Sequence, residues 1–417
     1  MTALRLARER LERHPLLIVV VPTVLALGAV ALLGDLAGGE SLDRAAQNLH
    51  PAWLVLCFGG QLLAYAGYVL VVRDTARVDN GPTLTFGESL RTVVAGFGMF
   101  AATRTSGGFA VDYWALRNAG ENRDGAVARV LALGALEYAV LAPAALISAI
   151  TLLVDGEDVP LSLTLPWLAV IPGALVAVWL SSPKRAPRYS DPGDGGSLRQ
   201  WFAHAIAGLS ILRTMFVAPP REHGLGLLGA AAYWAGDIAC LWGALQVFGN
   251  PRLSVPALIV GYATGYVLTR RSLPAGGAGL VEIAMTFALH AVGFPFVRAL
   301  LGVVVYRLFN LWLPMVPALA VLPRVTEMRA EFEQAERCSV LVAQTLHSSA
   351  HAIARHGDRD HARDHGSIHV RQARSLRELR CALLDRLGSV KALSARTTGT
   401  SARRRGLDFR QLDAALP

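Results

Sequence analysis

The stretch that decides the fold is GYVLTRRSLPAGGAGLVEIAMTFALHAVGFPFVRALLGVVVYRLFNLWLPMVPALAVLP, residues 265–323. It is strongly apolar, yet it contains charged residues such as Glu282 and Arg307. A charge near the bilayer centre costs at least ~2.5 kcal/mol, so charges kept at that depth usually face a protein interior or a wet cavity. The stretch therefore predicts a membrane domain with a functional site in this part of the chain.

The segment LPAGGAGLVE within this stretch predicts backbone that is not helical. Pro274 has no N–H to donate, and Gly276, Gly277 and Gly279 permit conformations that other residues avoid. Irregular backbone at membrane depth is tolerated only where protein or trapped water satisfies it. A broken helix beside Glu282 is a common plan for a substrate path.

Composition extends the membrane assignment to most of the chain. The 417 residues are 53% hydrophobic and only 17% charged, whereas a soluble protein is nearer ~25% charged. Apolar runs approach or exceed the ~18 residues that cross a bilayer core. We predict an all-α integral membrane protein with about eight transmembrane helices plus re-entrant or broken helices. The predicted spans are 15–36, 52–72, 126–154, 165–180, 224–248, 255–269, 280–292 and 297–322.

Loop charges predict the topology. Arginines crowd residues 1–14 and follow every second span, which places both termini in the cytoplasm of a multi-pass protein of the plasma (inner) membrane. Residues 15–323 form the predicted membrane domain, interrupted by a polar linker at about 182–196. Residues 324–417 form a polar, partly disordered cytoplasmic tail. Segment 86–118 is glycine-rich and bracketed by arginines, which favours a re-entrant pair over a full crossing.

Residues 198–216 show a helical period with apolar side chains on one stripe. The stripe consists of Leu198, Phe202, Ala205, Leu209, Leu212 and Phe216. Two interpretations stay open: a helix lying in the membrane interface with this stripe in lipid, or a helix packed on the bundle.

Several function classes find no support in the sequence. It contains no P-loop, HExxH or GxSxG motif and no kinase signature. The four cysteines form no CxxC pair. Histidines of the tail, such as His361 and His365, have the i, i+4 spacing that can bind a metal on a helix, although a solvated polar tail is the simpler interpretation. We predict no cofactor and no metal.

Polar side chains inside the predicted spans are the candidates for chemistry. Glu282, Thr286 and His290 recur every four residues and share one helix face, and Arg307 and Asn310 share a face of the last span. An arginine grips phosphate or carboxylate through two parallel hydrogen bonds. This pattern suits a lipid headgroup. Asp112, Glu137 and Asp237 are isolated acids in apolar sequence. Internal ion pairs that lock helices are an equal alternative for Glu137 and Asp237 and a less favoured one for Glu282.

The late motif resembles the lysylphosphatidylglycerol synthetase transmembrane-region family. That family's signature places a Pro and a Gly-Gly-x-Gly before a Glu that begins a helix, and ends on an Arg and a "fWlP" pattern. The matching residues here are Pro274, Gly276, Gly277, Gly279, Glu282, Arg307, Trp312 and Pro314.

An earlier motif, TRTSGGFAVDYWALRNAG, resembles the same family. The matching residues are Arg104, Gly107, Gly108, Arg117 and Gly120. The family's usual proline is replaced by Thr103 or Ser106, and the acid of its Gly-Glu pair is absent. The resemblance covers about residues 15–323.

The resemblance implies lipid transport or presentation, because the family includes flippase domains for aminoacylated phospholipids. The tail, residues 324–417, is too small for the soluble aminoacyl-transfer domain of bifunctional members. We therefore do not expect this protein to have synthetase activity. The expected function is a flippase-like transporter of a charged-headgroup lipid of the phospholipid, glycolipid or polyprenyl-phosphate type. The alternatives are a lipid-modifying transferase and a non-transporting scaffold.

The expected partners are lipids with anionic or zwitterionic headgroups, and we expect no nucleic-acid partner. A homo-oligomer and a soluble partner bound at the tail both stay possible. We predict no catalytic residue. The residues predicted to line the lipid path are Glu282, Arg307, Asn310, Arg271, Pro274, Gly276, Gly277, Gly279, Arg104 and Arg117.

Overall fold

The computed structural model describes residues 15–37, 49–102, 107–156, 159–187, 197–249, 254–270 and 277–317. These residues form helices joined by short turns, and no strand occurs among them. In chain order the helices are α1 (Pro15–Ala37), α2 (Trp53–Arg77), α3 (Phe86–Ala102), α4 (Gly107–Asn118), α5 (Arg123–Asp155), α6 (Leu161–Leu168), α7 (Val170–Leu180), α8 (Ser197–Val217), α9 (Pro220–Gln246), α10 (Val255–Arg270), α11 (Leu280–Ala291) and α12 (Phe296–Arg307). A 3-10 turn (Val78–Asn80) follows α2, and a π-helical turn (Leu308–Trp312) follows α12.

The predicted all-α membrane fold is confirmed. Five helical stretches are long and apolar enough to cross a membrane: Trp53–Asn80, Arg123–Asp155, Leu161–Leu180, Pro220–Gln246 and Phe296–Pro317. Shorter apolar helices cover Thr23–Asp35, Val255–Gly265 and Leu280–Ala291. These eight segments coincide with the eight predicted spans. The orientation of the helices in a membrane stays a prediction.

Helices α2 and α9 pack closely through glycines spaced seven residues apart on each helix. A Cβ atom on Gly67 would lie 2.5 Å from the carbonyl O of Gly229, and one on Gly229 would lie 2.6 Å from the carbonyl O of Gly67. Gly60 and Gly236 form the same reciprocal contact one repeat further along. Small residues allow two helix backbones to approach this closely. In lipid the hydrophobic effect does not drive helices together, so close packing of this kind is a main source of their association. Both helices contribute buried residues to the main core cluster.

Helices α3 and α4 pack against each other and occupy the segment predicted to be re-entrant. Neither is among the helices long and apolar enough to span a membrane. Tyr65 and Tyr68 of α2 both contact the ring of Phe97 in α3, with centroid distances of 4.7 and 5.6 Å. The pair therefore packs on the same core as the spans, and its re-entrant topology stays a prediction.

Helix α8 packs on the bundle, and part of its predicted apolar stripe is exposed. Its buried residues include Ala203, Ile206 and Met215, whereas Leu198 and Phe216 of the stripe are exposed. Gly208 allows α8 to approach the backbone of α5 at Ala128 and Ala132. The helix thus has features of both interpretations: it packs on the bundle, and the exposed part of its apolar stripe is free to face lipid.

The chain divides by its internal contacts into Met1–Ala335 and Glu336–Pro417. The tail histidines lie outside the described residues, so the structure does not test whether they bind a metal. Within the described ranges, no group of three or more His, Cys, Asp or Glu residues could hold a metal ion.

Candidate functional site

The site begins at the break between α10 and α11. Gly277 and Gly279 adopt φ angles of +69° and +89°, which only glycine adopts without strain. A Cβ atom on Gly279 would lie 3.2 Å from the carbonyl O of Leu25 in α1, so the break is packed against another helix. The structure thus shows the non-helical backbone expected at Gly277 and Gly279, whereas Pro274 and Gly276 lie outside the described residues.

Glu282 lies in the first turn of α11 and closes this break. Its Oε2 accepts a hydrogen bond of 2.6 Å from the backbone N–H of Gly279. A carboxylate in the first turn of a helix satisfies an otherwise unpaired N–H and interacts favourably with the helix dipole. The Glu282 side chain is therefore positioned by a contact within its own helix start, independently of residues from other helices.

Arg307, the last residue of α12, completes a buried ion pair. Its Nε donates to Oε1 of Glu282 at 2.8 Å, and the two side chains are 3% and 1% exposed. Both carboxylate oxygens of Glu282 are thus engaged, one by its own helix start and one by the arginine. Of the predicted site residues, these two are brought together as the sequence suggested.

A second buried carboxylate, Asp237 of α9, gathers side chains from neighbouring helices. Gln61 Nε2 and Asn310 Nδ2 each donate to Oδ1 at 2.7 Å. The hydroxyls of Tyr306 and Tyr262 donate to Oδ2, Tyr306 at 2.8 Å. Asp237 is 1% exposed, and all of its donors are neutral. Among the described residues, Asp237 is therefore stabilised by hydrogen bonds to uncharged groups and not by an ion pair.

The π-helical turn links the two carboxylates. Tyr306 and Arg307 end α12, and Asn310 lies within the turn, so one short segment contacts Asp237 twice and Glu282 once. π-helical turns inside helices are rare and frequently occur at functional sites. Arg307 and Asn310 were predicted to share one polar path. In the structure Arg307 contacts Glu282 and Asn310 contacts Asp237, and the shared path stays a prediction.

The remaining predicted residues lie in three situations. Arg104 and Arg271 are outside the described residues. Arg117 lies in the last turn of α4, and its Nη1 donates at 2.6 Å to the carbonyl O of Glu121, an interaction that stabilises the turn before α5. Thr286 is buried with Glu282 while His290 is exposed at the far end of α11, so the polar stripe of α11 does not keep one environment along its length.

Gln61, Tyr262 and Tyr306 were not predicted as part of the site. Each is a single polar or amphipathic residue in an apolar run, and nothing in its spacing relates it to Asp237. One general rule could have indicated them. A buried carboxylate needs hydrogen-bond donors, and the polar side chains of neighbouring spans are the donors available to it.

Taken together, helices long enough to span a bilayer and a buried charged pair at a helix break define an α-helical membrane protein with a polar centre. A family model described as the lysylphosphatidylglycerol synthase TM region matches residues 18–318. The chain therefore belongs to this family, as the two sequence motifs indicated. A search of curated proteins finds no match to this chain.

Proposed function

We propose that this protein moves a lipid with a charged headgroup between the two leaflets of the membrane. The observation that carries the proposal is the fully buried Glu282–Arg307 ion pair beside the Gly277–Gly279 break. The family, whose name refers to a phospholipid synthase, supports the lipid-related class.

Energetics favour a functional role for the pair over a purely stabilising one. Removing two charges from water costs several kcal/mol per ion, and apolar replacements of buried ion pairs are often neutral or stabilising. The pair is therefore a weak device for stability alone. Intramembrane charges that face a protein interior commonly mark a substrate or ion pathway.

The chemistry of Arg307 fits a phosphate-containing headgroup. A phosphate oxygen can occupy the position of Glu282 Oε1 at the guanidinium, because both are anionic acceptors at hydrogen-bond distance. Glu282 then competes with the headgroup, so capture by Arg307 is followed by release when the carboxylate returns. The Asp237 cluster keeps Arg307 in place, since Tyr306 and Asn310 on either side of it are bonded to Asp237.

The proposal is tested by reconstituting the full chain into liposomes that contain fluorescent phospholipid in both leaflets. The expected result is faster loss of inner-leaflet protection than in protein-free liposomes of the same composition. A parallel incubation with radiolabelled lipid separates transport from modification. Translocation with unchanged lipid supports the proposal. Conversion of the lipid to a new product without translocation would instead establish the lipid-modifying transferase.

A further inference from the structure

A second polar site lies away from the ion pair, in a cleft of about 910 Å³ at one end of the bundle. Its walls come from the turn after α2, the start of α5, the end of α7 and one face of α8. A volume of this size is at the upper end of the range for small-ligand pockets. Both signs of charge line it, through Asp79, Glu121, Arg129 and Arg213.

Two of these charges are already engaged in the protein. Arg129 donates from Nε to the carbonyl O of Ala76 at 3.0 Å and from Nη2 to that of Val78 at 2.9 Å. Its Nη1 lies 3.2 Å from Oε2 of Glu121. These contacts hold the end of α2 against the start of α5. Arg129 and Glu121 therefore serve as a structural wall of the cleft.

The other two charges remain for a ligand. Arg213 is half-buried, and neither it nor the exposed Asp79 has a hydrogen-bond or ion-pair partner among the described residues. A half-buried guanidinium without a carboxylate is an open position for an anion, and phosphate is the anion that arginine recognises best. The carboxylate of Asp79 in the same cleft would take a cation. A ligand that carries a phosphate and an amine satisfies both groups.

The position of the cleft indicates that this ligand is a lipid headgroup. Helix α7 buries none of its residues, so its apolar side chains face lipid. Near its end, the Arg185 guanidinium lies 4.3 Å from the ring centroid of Trp179. Tryptophan and arginine at a span end are typical of the membrane–water interface. Ser181 and Pro183, which lie between these two residues in sequence, line the cleft.

We propose that this cleft, which we call the α5–α8 cleft, binds a zwitterionic phospholipid headgroup of the phosphoethanolamine type. Arg213 binds the phosphate and Asp79 binds the ammonium group. The site does not depend on the Glu282–Arg307 pair. A protein that binds the headgroup here but moves no lipid supports this inference and contradicts the proposed function, so the two can fail separately.

The test is native mass spectrometry of the delipidated full chain in detergent with equal amounts of phosphatidylethanolamine and phosphatidylglycerol of the same acyl chains. Wild-type protein is expected to retain more phosphatidylethanolamine. Asp79→Asn should lower that preference by about threefold, toward equality, because phosphatidylglycerol has no ammonium group and an exposed charge pair contributes only modestly to binding. Asn also tolerates the φ of +52° that Asp79 adopts. Arg213→Gln should lower the adducts of both lipids.

Matched controls use Asp155→Asn at the far end of α5 and Arg199→Gln at the start of α8, neither of which lines the cleft. They should leave both adducts unchanged. Wild-type adduct patterns in both cleft variants, or equal losses in the controls, would overturn the assignment. Glycerophosphoethanolamine added at the same concentration separates the two sources of this headgroup: retention of the lipid supports a lipid site, and displacement by the soluble compound contradicts it.

Discussion

At the scale of single residues, two buried carboxylates of this protein are stabilised in different ways. Glu282 has one charged partner, Arg307, and one backbone N–H, whereas Asp237 accepts four hydrogen bonds from neutral side chains. Loss of one partner leaves a buried polar group unsatisfied, which costs ~1–3 kcal/mol and more for a charge. Both acids therefore depend on donors from distant parts of the sequence.

Replacing Asp237 by Asn should destabilise the protein by about 1–3 kcal/mol. The amide of Asn turns an NH2 group toward donors that need an acceptor, so part of the cluster is left unsatisfied. Tyr306→Phe removes only one donor and should cost less, about 1 kcal/mol. Thermal denaturation of the purified variants in detergent measures the order of the effects.

The control for this prediction is Thr151→Val, since the Thr151 hydroxyl is exposed and donates only to the carbonyl O of Ile147 in its own helix. It should leave the midpoint almost unchanged. If Asp237→Asn and Thr151→Val had the same midpoint of thermal denaturation, the four hydrogen bonds to Asp237 would contribute nothing to stability.

At the scale of helices, the membrane environment explains where sequence patterns succeed and where they mislead. Long apolar runs predicted where five helices of membrane-spanning length and three shorter apolar helices lie, because length and composition are local properties of the sequence. The stripe of α8 left two interpretations open, because hydrophobicity does not distinguish a lipid-facing side from a packed one. The packed sides are marked by small residues such as Gly208, Gly60 and Gly67.

The adjacent glycines Gly59 and Gly60 of α2 provide a direct test of the close packing. Gly60→Leu should prevent the α2–α9 contact, because its Cβ atom would lie 2.5 Å from the carbonyl O of Gly236. Gly59→Leu should be tolerated, because nothing lies within 4 Å of a Cβ atom at that position. Fluorescence-detected size-exclusion chromatography of tagged variants should show a monodisperse peak for Gly59→Leu and aggregation for Gly60→Leu. Equal profiles for the two variants would contradict the proposed packing.

At the scale of the whole molecule, the described helices combine eight membrane-length or shorter apolar segments with a polar centre. The sequence predicted the fold and one half of this centre, the Glu282–Arg307 pair, because a charge in an apolar run and a glycine-rich break are local features. The Asp237 cluster could not be predicted, because Gln61, Tyr262 and Asn310 meet only when three helices pack around α9. The π-helical turn that orients Arg307 has no sequence signature that we can identify.

The central claim is that the Glu282–Arg307 pair belongs to the path of the lipid headgroup. The double variant Glu282→Gln/Arg307→Gln tests it most directly, because it removes both charges, keeps a polar side chain at each position and leaves neither a lone carboxylate nor a lone guanidinium buried. A single substitution would leave such a charge, at a cost of ~3–5 kcal/mol, and would confuse misfolding with loss of function. Arg221→Gln, at an exposed arginine at the start of α9, is the matched control.

The decisive measurement is the initial rate of phospholipid translocation in liposomes that contain equal amounts of wild-type, double-variant or control protein, each with a monodisperse chromatographic profile. We expect a rate at least about tenfold lower for the double variant, equivalent to ~1.4 kcal/mol in the barrier, and a wild-type rate for Arg221→Gln. A folded double variant that moves lipid as fast as the wild type would contradict the account.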